Sequence, residues 1–355
     1  VSDGFGSADR IIGVTAFAVH QGELIAAVET STTPELRQSP DGESWNPTAF
    51  TFNPVLGESR ITDMLTFNGF FWITTSTGEI YRLSSSTFTQ INDGDSGFVE
   101  GSTKATVMEI HNDFLYVGTR HPDGAQLWRT EYDRSDADYD PGGAQDWEKV
   151  ADLEDDGQFP GAENDLDLEI TALKSDGTDL FFGTENLTYG SSVYSSSTGD
   201  VSSWSKVGEH QNTANTAVTS MNSINGILFA GTRNNNGAQL LWFDGLNLGE
   251  TGGAGLGDDD NTEINHLTFG QNLLWATMVN PDGGAQVLRT TDGFSWTVSA
   301  EGGFGVASTS GGFPDLIEFN EAIYWGGENT ELGAQVYRLQ QPTVVEFSQA
   351  AFSFQ

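Results

Sequence analysis

Residues 117–130 read VGTRHPDGAQLWRT, and close variants return as AGTRNNNGAQLLWF at 230–243, ATMVNPDGGAQVLRT at 276–290 and GGENTELGAQVYRL at 326–339. Self-similarity at a regular spacing is the mark of an array of small structural units, so the spacing is read before anything else. Working outward from the phrase, the chain divides into seven units that start near Ile11, Ile61, Ala105, Leu168, Val218, Ile264 and Leu316. Each begins with an apolar run such as ITDMLTF, then a turn such as Asn68-Gly69 or Asn225-Gly226, then a second run such as FLYVGT. A polar loop leads to the GAQ phrase, and a further turn leads to a last segment opening with Trp, as in SWTVS.

Short runs of β-branched and aromatic residues separated by Asn-Gly and similar turns are hairpin signals. No stretch holds a sustained helical period. A small sheet of four strands leaves its faces and edges unburied, whereas radial packing of seven such sheets buries the faces and leaves only short edges. The expected fold is therefore all-β, a seven-bladed β-propeller with four antiparallel strands per blade, as one domain over residues 1–355. VSDGFGSADR at 1–10 matches VSAEGGFGVAS at 298–308, which makes residues 1–10 the tail of the ring-closing unit. The last unit's own final strand is expected at TVVEF (343–347), and QAAFSFQ (349–355) has no counterpart in the repeat.

The repeat also separates scaffold from candidate site. Trp45, Trp147, Trp204 and Trp296 open the fourth strand, Trp72, Trp275 and Trp325 share the second, and Arg37, Arg82, Arg129, Arg289 and Arg338 share a slot in the third. A residue that recurs at one place in most units is read as packing between units.

Asp and Glu number 51 against 14 Lys and Arg, a formal charge of −37. Nucleic acid and anionic headgroups are bound chiefly through Lys and Arg, so both are excluded as partners. An acid excess of this size costs folding energy through self-repulsion that salt or bound cations reduce, which suits a saline or calcium-rich milieu; it also suits a secreted protein acidic for solubility. With no Cys, disulfides, thiolate nucleophiles and Cys-ligated zinc are excluded. No apolar run reaches membrane-spanning length. The start at Val1 rather than Met fits a leader removed by processing and equally a start chosen for expression, and the expected location is extracellular or at the cell surface. The sequon Asn186-Leu187-Thr188 is read as a chance match.

SPDGESW (39–45) and TTDGFSW (290–296) resemble the Asp-box, Ser-x-Asp-x-Gly-x-x-Trp, with Gly one place earlier. With the GT…GAQ phrase, the chain looks like the Asp-box, sialidase-like repeat propellers of secreted and surface bacterial proteins. The resemblance implies that the Asp caps the turn through backbone amides, Gly takes the corner and Trp plugs the blade. Sialidases of this kind open with an Arg-Ile-Pro motif whose Arg binds a substrate carboxylate; Arg10 stands in that place, with Ile12 where Pro belongs. Such an enzyme also needs further Arg in the channel, a Tyr–Glu pair and an acid/base Asp; no Tyr–Glu pair is assigned, and sialidases usually have six blades.

Propellers carry function on loops around the channel mouth. The linkers there are acidic, as in INDGDSGFVEG, DLEDDGQFPGAENDLD and GLGDDDNTE, and the corners add Arg120, Glu185, Arg233 and Glu328 just after the Gly-Thr or Gly-Gly pair. Arg10, Arg60, Arg120, Glu185, Arg233 and Glu328 are the candidate ligand-binding residues on a rim suited to a cation or a cationic partner. In the inserted stretch EYDRSDADYDPGGAQD (131–146), Asp136, Asp138 and Asp140 have the alternate spacing that lets carboxylates converge on calcium, the candidate cofactor, although Pro141 stands where such loops want Gly. His20 and His111 are read as turn residues. Gly-x-Ser-x-Gly, His-Glu-x-x-His and phosphate-cradling loops are all absent.

The sequence thus points to a non-catalytic extracellular propeller that binds a protein or glycan through its acidic loop face, assisted by calcium. The alternatives are a sialidase-like glycoside hydrolase and a structural subunit of a larger surface assembly.

Overall fold

The computed structural model describes residues 2–3, 11–30, 33–52, 60–92, 102, 104–131, 147–153, 167–207, 212–305, 315–328 and 333–339. Its architecture starts from tight turns. Gln21-Gly22, Asn68-Gly69, Asn112-Asp113, Asn225-Gly226, Gln271-Asn272 and Asn320-Glu321 all have φ between 47° and 82°. Two consecutive left-handed residues give the turn whose twist matches a two-stranded ribbon, so each pair folds a unit's first strand back on its second.

First strands run over Ile11–His20, Ile61–Phe67, Lys104–His111, Glu169–Ser175, Ala217–Ile224, Glu263–Gly270 and Leu316–Phe319. Their partners are Glu23–Thr30, Phe70–Thr75, Phe114–Arg120, Leu180–Glu185, Ile227–Arg233, Leu273–Val279 and Ala322–Gly327. Third and fourth strands add outward, as Gln126–Glu131 and Glu148–Asp152 do in the third unit. The described strands thus pair into seven antiparallel groups of four, with no helix beyond two short 3₁₀ turns among these residues. First strands of successive units contact one another, and the seventh contacts the first, so the seven close a cycle. This is an all-β propeller.

The seventh group takes its outermost strand from the other end of the chain. Ser2–Asp3 pairs with Gln335–Leu339, Ser2 opposite Val336 and Asp3 opposite Gln335. Residues 343–347, expected as that strand, lie outside the described residues, as does the tail at 349–355.

Close packing between blades explains much of the repeated phrase. A Cβ on Gly118 would lie 2.7 Å from Ile170 Cγ2, one on Gly183 2.5 Å from Val218, one on Gly231 2.6 Å from Ile264, and one on Gly326 2.3 Å from Val14. The Gly of the Gly-Thr or Gly-Gly pair is there because a β-branched side chain from the next blade occupies the space a larger residue would need. Immediately after that β-branched residue comes a bulge, and at four bulges a threonine hydroxyl donates to the next blade's carbonyl: Thr62 to Ala105 (2.6 Å), Thr106 to Ile170 (2.5 Å), Thr171 to Val218 (2.5 Å) and Thr219 to Ile264 (2.6 Å). A bulge leaves one residue out of the ladder, and here the freed residue links neighbouring sheets.

Turns between third and fourth strands lock onto the preceding blade. In Ser39–Ser44, Asp41 accepts from the amides of Glu43 (2.8 Å) and Ser44 (2.7 Å), while Gly42 donates to Ser39 Oγ at 2.7 Å. Thr290–Ser295 repeats the pattern around Asp292, and Ser196 Oγ accepts from Gly199 in a third version whose acid, Asp200, instead pairs with Arg129. Added Cβ atoms on Gly42, Gly199 and Gly293 would collide with Tyr324, Tyr116 and Phe229 respectively, each on the second strand of the blade before. The recurrent third-strand arginines stack on second-strand aromatics, Arg129 over Phe114 at 4.4 Å, Arg82 over Phe70 at 5.1 Å and Arg289 over Trp275 at 5.9 Å. Trp72, Trp275 and Trp325 are buried in the blade cores.

Candidate functional site

A cavity of about 520 Å³ runs into the centre of the ring, lined by residues from the first strand of every blade or, in the seventh, from just before it. Its mouth is built where second strands end and the next first strands begin, through the backbone pairs Arg120–Glu169, Glu185–Ala217 and Arg233–Glu263. Their side chains form a ladder. Lys104 pairs with Glu169; Arg120 Nη1 lies 3.0 Å from Glu169 Oε2 and 3.3 Å from Glu185 Oε1; Arg233 Nη1 lies 3.0 Å from Glu185 Oε2, and its Nε 2.8 Å from Glu263 Oε2. Three cations thus alternate with three carboxylates over four blades. Arg120 and Arg233 keep 42% and 39% of their side chains exposed, so solvent screens each pair and the ladder's main effect is to fix side-chain positions.

Of the six candidate ligand-binding residues, the structure brings Arg120, Glu185 and Arg233 into this ladder. Arg60 lines the same cavity and, among the described residues, has no carboxylate within ion-pair distance. Glu328 lies across Gly13 from Glu29: a Cβ on Gly13 would be 3.5 Å from Glu328 Cγ and 3.7 Å from Glu29 Oε2. Burial raises the pKa of Glu29, Arg60 opposes that rise and Glu328 adds to it, so this side of the mouth is acidic. Arg10 and the calcium candidates Asp136, Asp138 and Asp140 lie outside the described residues.

Deeper in, each blade presents the residue opposite one small position of the second strand, a Gly or Thr except for Ala27 in the first blade, and in order these are Ala16, Asp63, Val107, Ala172, Ser220, His266 and Asp315, all on the cavity wall. Three reach across to the next blade's backbone. Asp63 Oδ2 accepts from Met108 N at 2.6 Å, Ser220 Oγ from Leu267 N at 2.5 Å, and Asp315 Oδ2 from Phe17 N at 2.5 Å. Each Asp also accepts from the amide of the residue that follows it, Met64 or Leu316, at 2.7 Å. Burial outweighs these bonds and pushes Asp63 and Asp315 up to about 7; Asp315 and Glu109 add to the rise at Asp63 through their charge. His266 Nε2 stands 3.3 Å from Asp315 Oδ1, and burial lowers this imidazole to about 4, so it is neutral at pH 7. Sequence reasoning missed this ring because its members follow no common residue type or motif around the ring; the signal was their fixed place, two residues after the position that holds a β-branched residue in five of the seven blades.

The corner loops are knitted by carboxamides. Asn234 Nδ2 donates to Asn215 Oδ1 (2.8 Å) and Asn280 Nδ2 to Asn261 Oδ1 (3.0 Å). Asn215 and Asn261 in turn donate to the oxygens of Gln239 (2.6 Å) and Gln286 (3.0 Å), which is the work of the GAQ glutamine. Asp258 in the acidic linker accepts from Gln286 at 2.7 Å and Asn280 at 3.2 Å, while Asp259 and Asp260 remain exposed. Asn186 of the sequon is 3% exposed and bonded to Asp167 at 3.0 Å, a structural position. His20 and His111, expected as turn residues, instead end first strands and bond the next blade's hydroxyls, Thr66 at 3.0 Å and Ser175 at 2.9 Å. Among the described residues, no three His, Asp or Glu stand close enough to hold a metal ion.

No protein-family model matches the sequence, and no curated protein matches it. Solved structures do. YCF48 from Cyanidioschyzon merolae is 12% identical with a TM-score of 0.59, over 90% of this chain and 94% of that one. The WD40 β-propeller domain of Doa1 is 9% identical with a TM-score of 0.57, over 94% of each chain. The extracellular domain of a candidate one-component system from B. thetaiotaomicron is 16% identical with a TM-score of 0.60, over 92% of this chain but 38% of that one. At these identities the likeness concerns the fold. No helix of the described residues is long and apolar enough to cross a membrane.

Proposed function

We propose that this chain is a non-catalytic interaction propeller, working outside the cell, that captures a cationic segment of a protein partner at the channel mouth. The observation that carries the reading is a contrast between slots. Positions that hold blades together repeat, as in the Gly-Thr pair, the bulge threonine and the GAQ glutamine. Positions facing the cavity carry five residue types over seven blades, Ala at 16 and 172, Asp at 63 and 315, and Val107, Ser220 and His266 once each. A scaffold alone needs no such variety, whereas recognition of an asymmetric ligand does. Charge sets the sign of the partner: a protein at −37, with Glu29 and Glu328 meeting at the mouth, steers cations inward. One similar structure is YCF48 bound to D1 peptide, which supports a peptide as the kind of occupant. Calcium at Asp136, Asp138 and Asp140 belongs to this proposal as a brace for the long insertion.

The test is calorimetric titration with peptides of matched length that are Lys-rich, neutral or Glu-rich, at low and high salt. The Lys-rich peptide is expected to bind at low salt, to weaken as salt rises, and to weaken further in the Glu29→Gln, Glu328→Gln variant. Equal binding of all three peptides, or of none, overturns the reading. A glycoside hydrolase would have to use Asp63 and Asp315, each of which already accepts two backbone amides, because the other carboxyls lining the cavity, Glu169 and Glu263, are paired with Lys104, Arg120 and Arg233. Turnover of fluorogenic glycosides that disappears in Asp63→Asn would favour it.

A further inference from the structure

We propose, taking the mouth as the partner's point of entry, that Glu29 and Arg60 are a latch between the first and second blades that stands open in this structure, and that its closure narrows the mouth and withdraws Glu29 from a cationic partner. The blades are not joined alike around the ring. The backbone pairs Arg120–Glu169, Glu185–Ala217 and Arg233–Glu263 run the third to sixth blades into one continuous sheet at the mouth. The seventh, first and second blades each remain a separate four-stranded sheet.

Glu29 and Arg60 hold the slots that such a bridge would use. Glu29 stands opposite Gly13 as Arg120 stands opposite Lys104, and Arg60 precedes Asp63 by the three positions that separate Glu169 from Ala172. Their charges are complementary, as in the bridged pair Arg120–Glu169, with the signs reversed. Burial raises the pKa of Glu29 and the charge of Arg60 opposes that rise, so the two groups interact, yet no strand pairing or ion pair joins them.

The other links are missing at the same interface. Thr62, Thr106, Thr171 and Thr219 each donate to the next blade, whereas Thr15, in the same slot and 5% exposed, has no partner for its hydroxyl among the described residues. Asp63, Ser220 and Asp315 each take an amide of the next blade, and Ala16 has no acceptor to offer. Size accounts for both losses. Ala27 fills the slot held elsewhere by Gly118, Gly183, Gly231 and Gly326, where an added Cβ would lie 2.3 to 2.7 Å from the next blade's side chain. Its methyl shares a core cluster with Ile61 and so holds the second blade at a wider spacing. At the opposite end of the channel the same blades are tied, with His20 Nδ1 3.0 Å from Thr66 Oγ1 and the imidazole stacked on Phe71 at 4.8 Å. A joint fixed at one end and unlinked at the mouth permits a tilt that opens and closes the mouth. Arg60 and the partner's cation then compete for one carboxylate.

The experiment is disulfide trapping in the whole chain, which has no Cys of its own. Glu29→Cys, Arg60→Cys is compared with Ser76→Cys, Lys104→Cys, the same slots one interface on, where Thr62 and Asp63 hold the blades. A bridged pair has Cα atoms about 4.5 to 5.5 Å apart, within the reach of a disulfide. Mild oxidation is expected to crosslink the first pair within the chain and to leave the second pair free. The oxidised first variant is expected to bind the Lys-rich peptide of the preceding test more weakly than its own reduced form. Arg60→Gln is expected to bind that peptide about two- to fivefold more tightly than wild type at low salt. Lys104→Gln, which removes an equal charge one blade on while Arg120 still holds Glu169, is expected to gain less. Cysteines that stay free in both variants, equal crosslinking of the two pairs, or equal affinities of Arg60→Gln and Lys104→Gln overturn the proposal. If no form binds the peptide, the reading of the mouth fails, and the crosslinking comparison still decides whether the two blades close on each other.

Discussion

Asp315 accepts the backbone amide of Phe17 at 2.5 Å across 298 positions of sequence, joining the last blade to the first. Only a closed ring brings these residues together. With both carboxylate oxygens accepting amides, Asp315→Ala leaves two recessed donors unpaired. A loss of about 2 to 4 kcal/mol is expected from urea unfolding, with a smaller loss for Asp315→Asn, which keeps one acceptor. An unchanged midpoint in Asp315→Ala would show that the contact does not hold the seam.

The same group and its neighbours set a pH dependence whose sign is determined. Asp63 and Asp315 titrate at about 7 when folded against an ordinary 3.8, so between about pH 4 and 7 the folded chain holds protons that the unfolded chain has lost. Stability from these groups falls as pH rises through that window and levels off above it. His266, lowered to about 4, acts oppositely up to about pH 6.5, and two acids outweigh one imidazole. The turn aspartates Asp41 and Asp292, lowered by backbone amides, give stability above 3.8 that is lost on acidification below the window. Asp63→Asn is therefore expected to make the slope between pH 4.5 and 6.5 less negative by up to about 1.4 kcal/mol per pH unit. A slope equal to wild type would contradict the assignment.

Gly183 fits against Val218 with no space for a Cβ, which would lie 2.5 Å away. Gly183→Ala is expected to destabilise by about 1 to 3 kcal/mol, measured by urea unfolding. Adding Val218→Ala should recover part of that loss, because the clash is specific to this pair. Destabilisations that simply add would place the strain elsewhere.

The ladder at the mouth is partly solvent-accessible at its arginines, so Glu185→Gln is expected to cost about 1 kcal/mol or less at low salt, and less still at high salt. A double-mutant cycle between Arg120 and Arg233 reads whether the shared carboxylate couples them. A salt-independent loss would mean that the contact is more than electrostatic.

What the sequence made legible and what it did not follows from repetition. The Asn-Gly turns, the Gly-Thr pair and the GAQ glutamine recur because every blade meets the next in the same way, so the all-β propeller could be read from them. The bulge threonines recur too, but inside apolar runs, where a period-two reading treats them as ordinary strand residues. Asp63, His266 and Asp315 occupy a slot that elsewhere holds Ala, Val or Ser, and a slot without a consistent residue gives no internal comparison. Arg120 and Arg233 were visible as corner residues, yet Arg120's partner Glu169 was not, because it opens the following strand nearly fifty residues on, beyond a long acidic linker. His20 and His111 sit beside turn residues in sequence, and only the neighbouring blade shows that their partners are Thr66 and Ser175.

Ring closure by the first residues of the chain is the claim on which the rest depends, and the absence of any Cys makes it directly testable. Ser2 and Val336 are directly opposed strand partners, and such pairs have Cα atoms about 4.5 to 5.5 Å apart, within the reach of a disulfide. In the Ser2→Cys, Val336→Cys variant, mild oxidation is expected to give one intramolecular crosslink, seen by intact mass and a mobility shift, with a raised Tm that reduction reverses. Cysteines that stay free, or that crosslink only between chains, would contradict the closed ring.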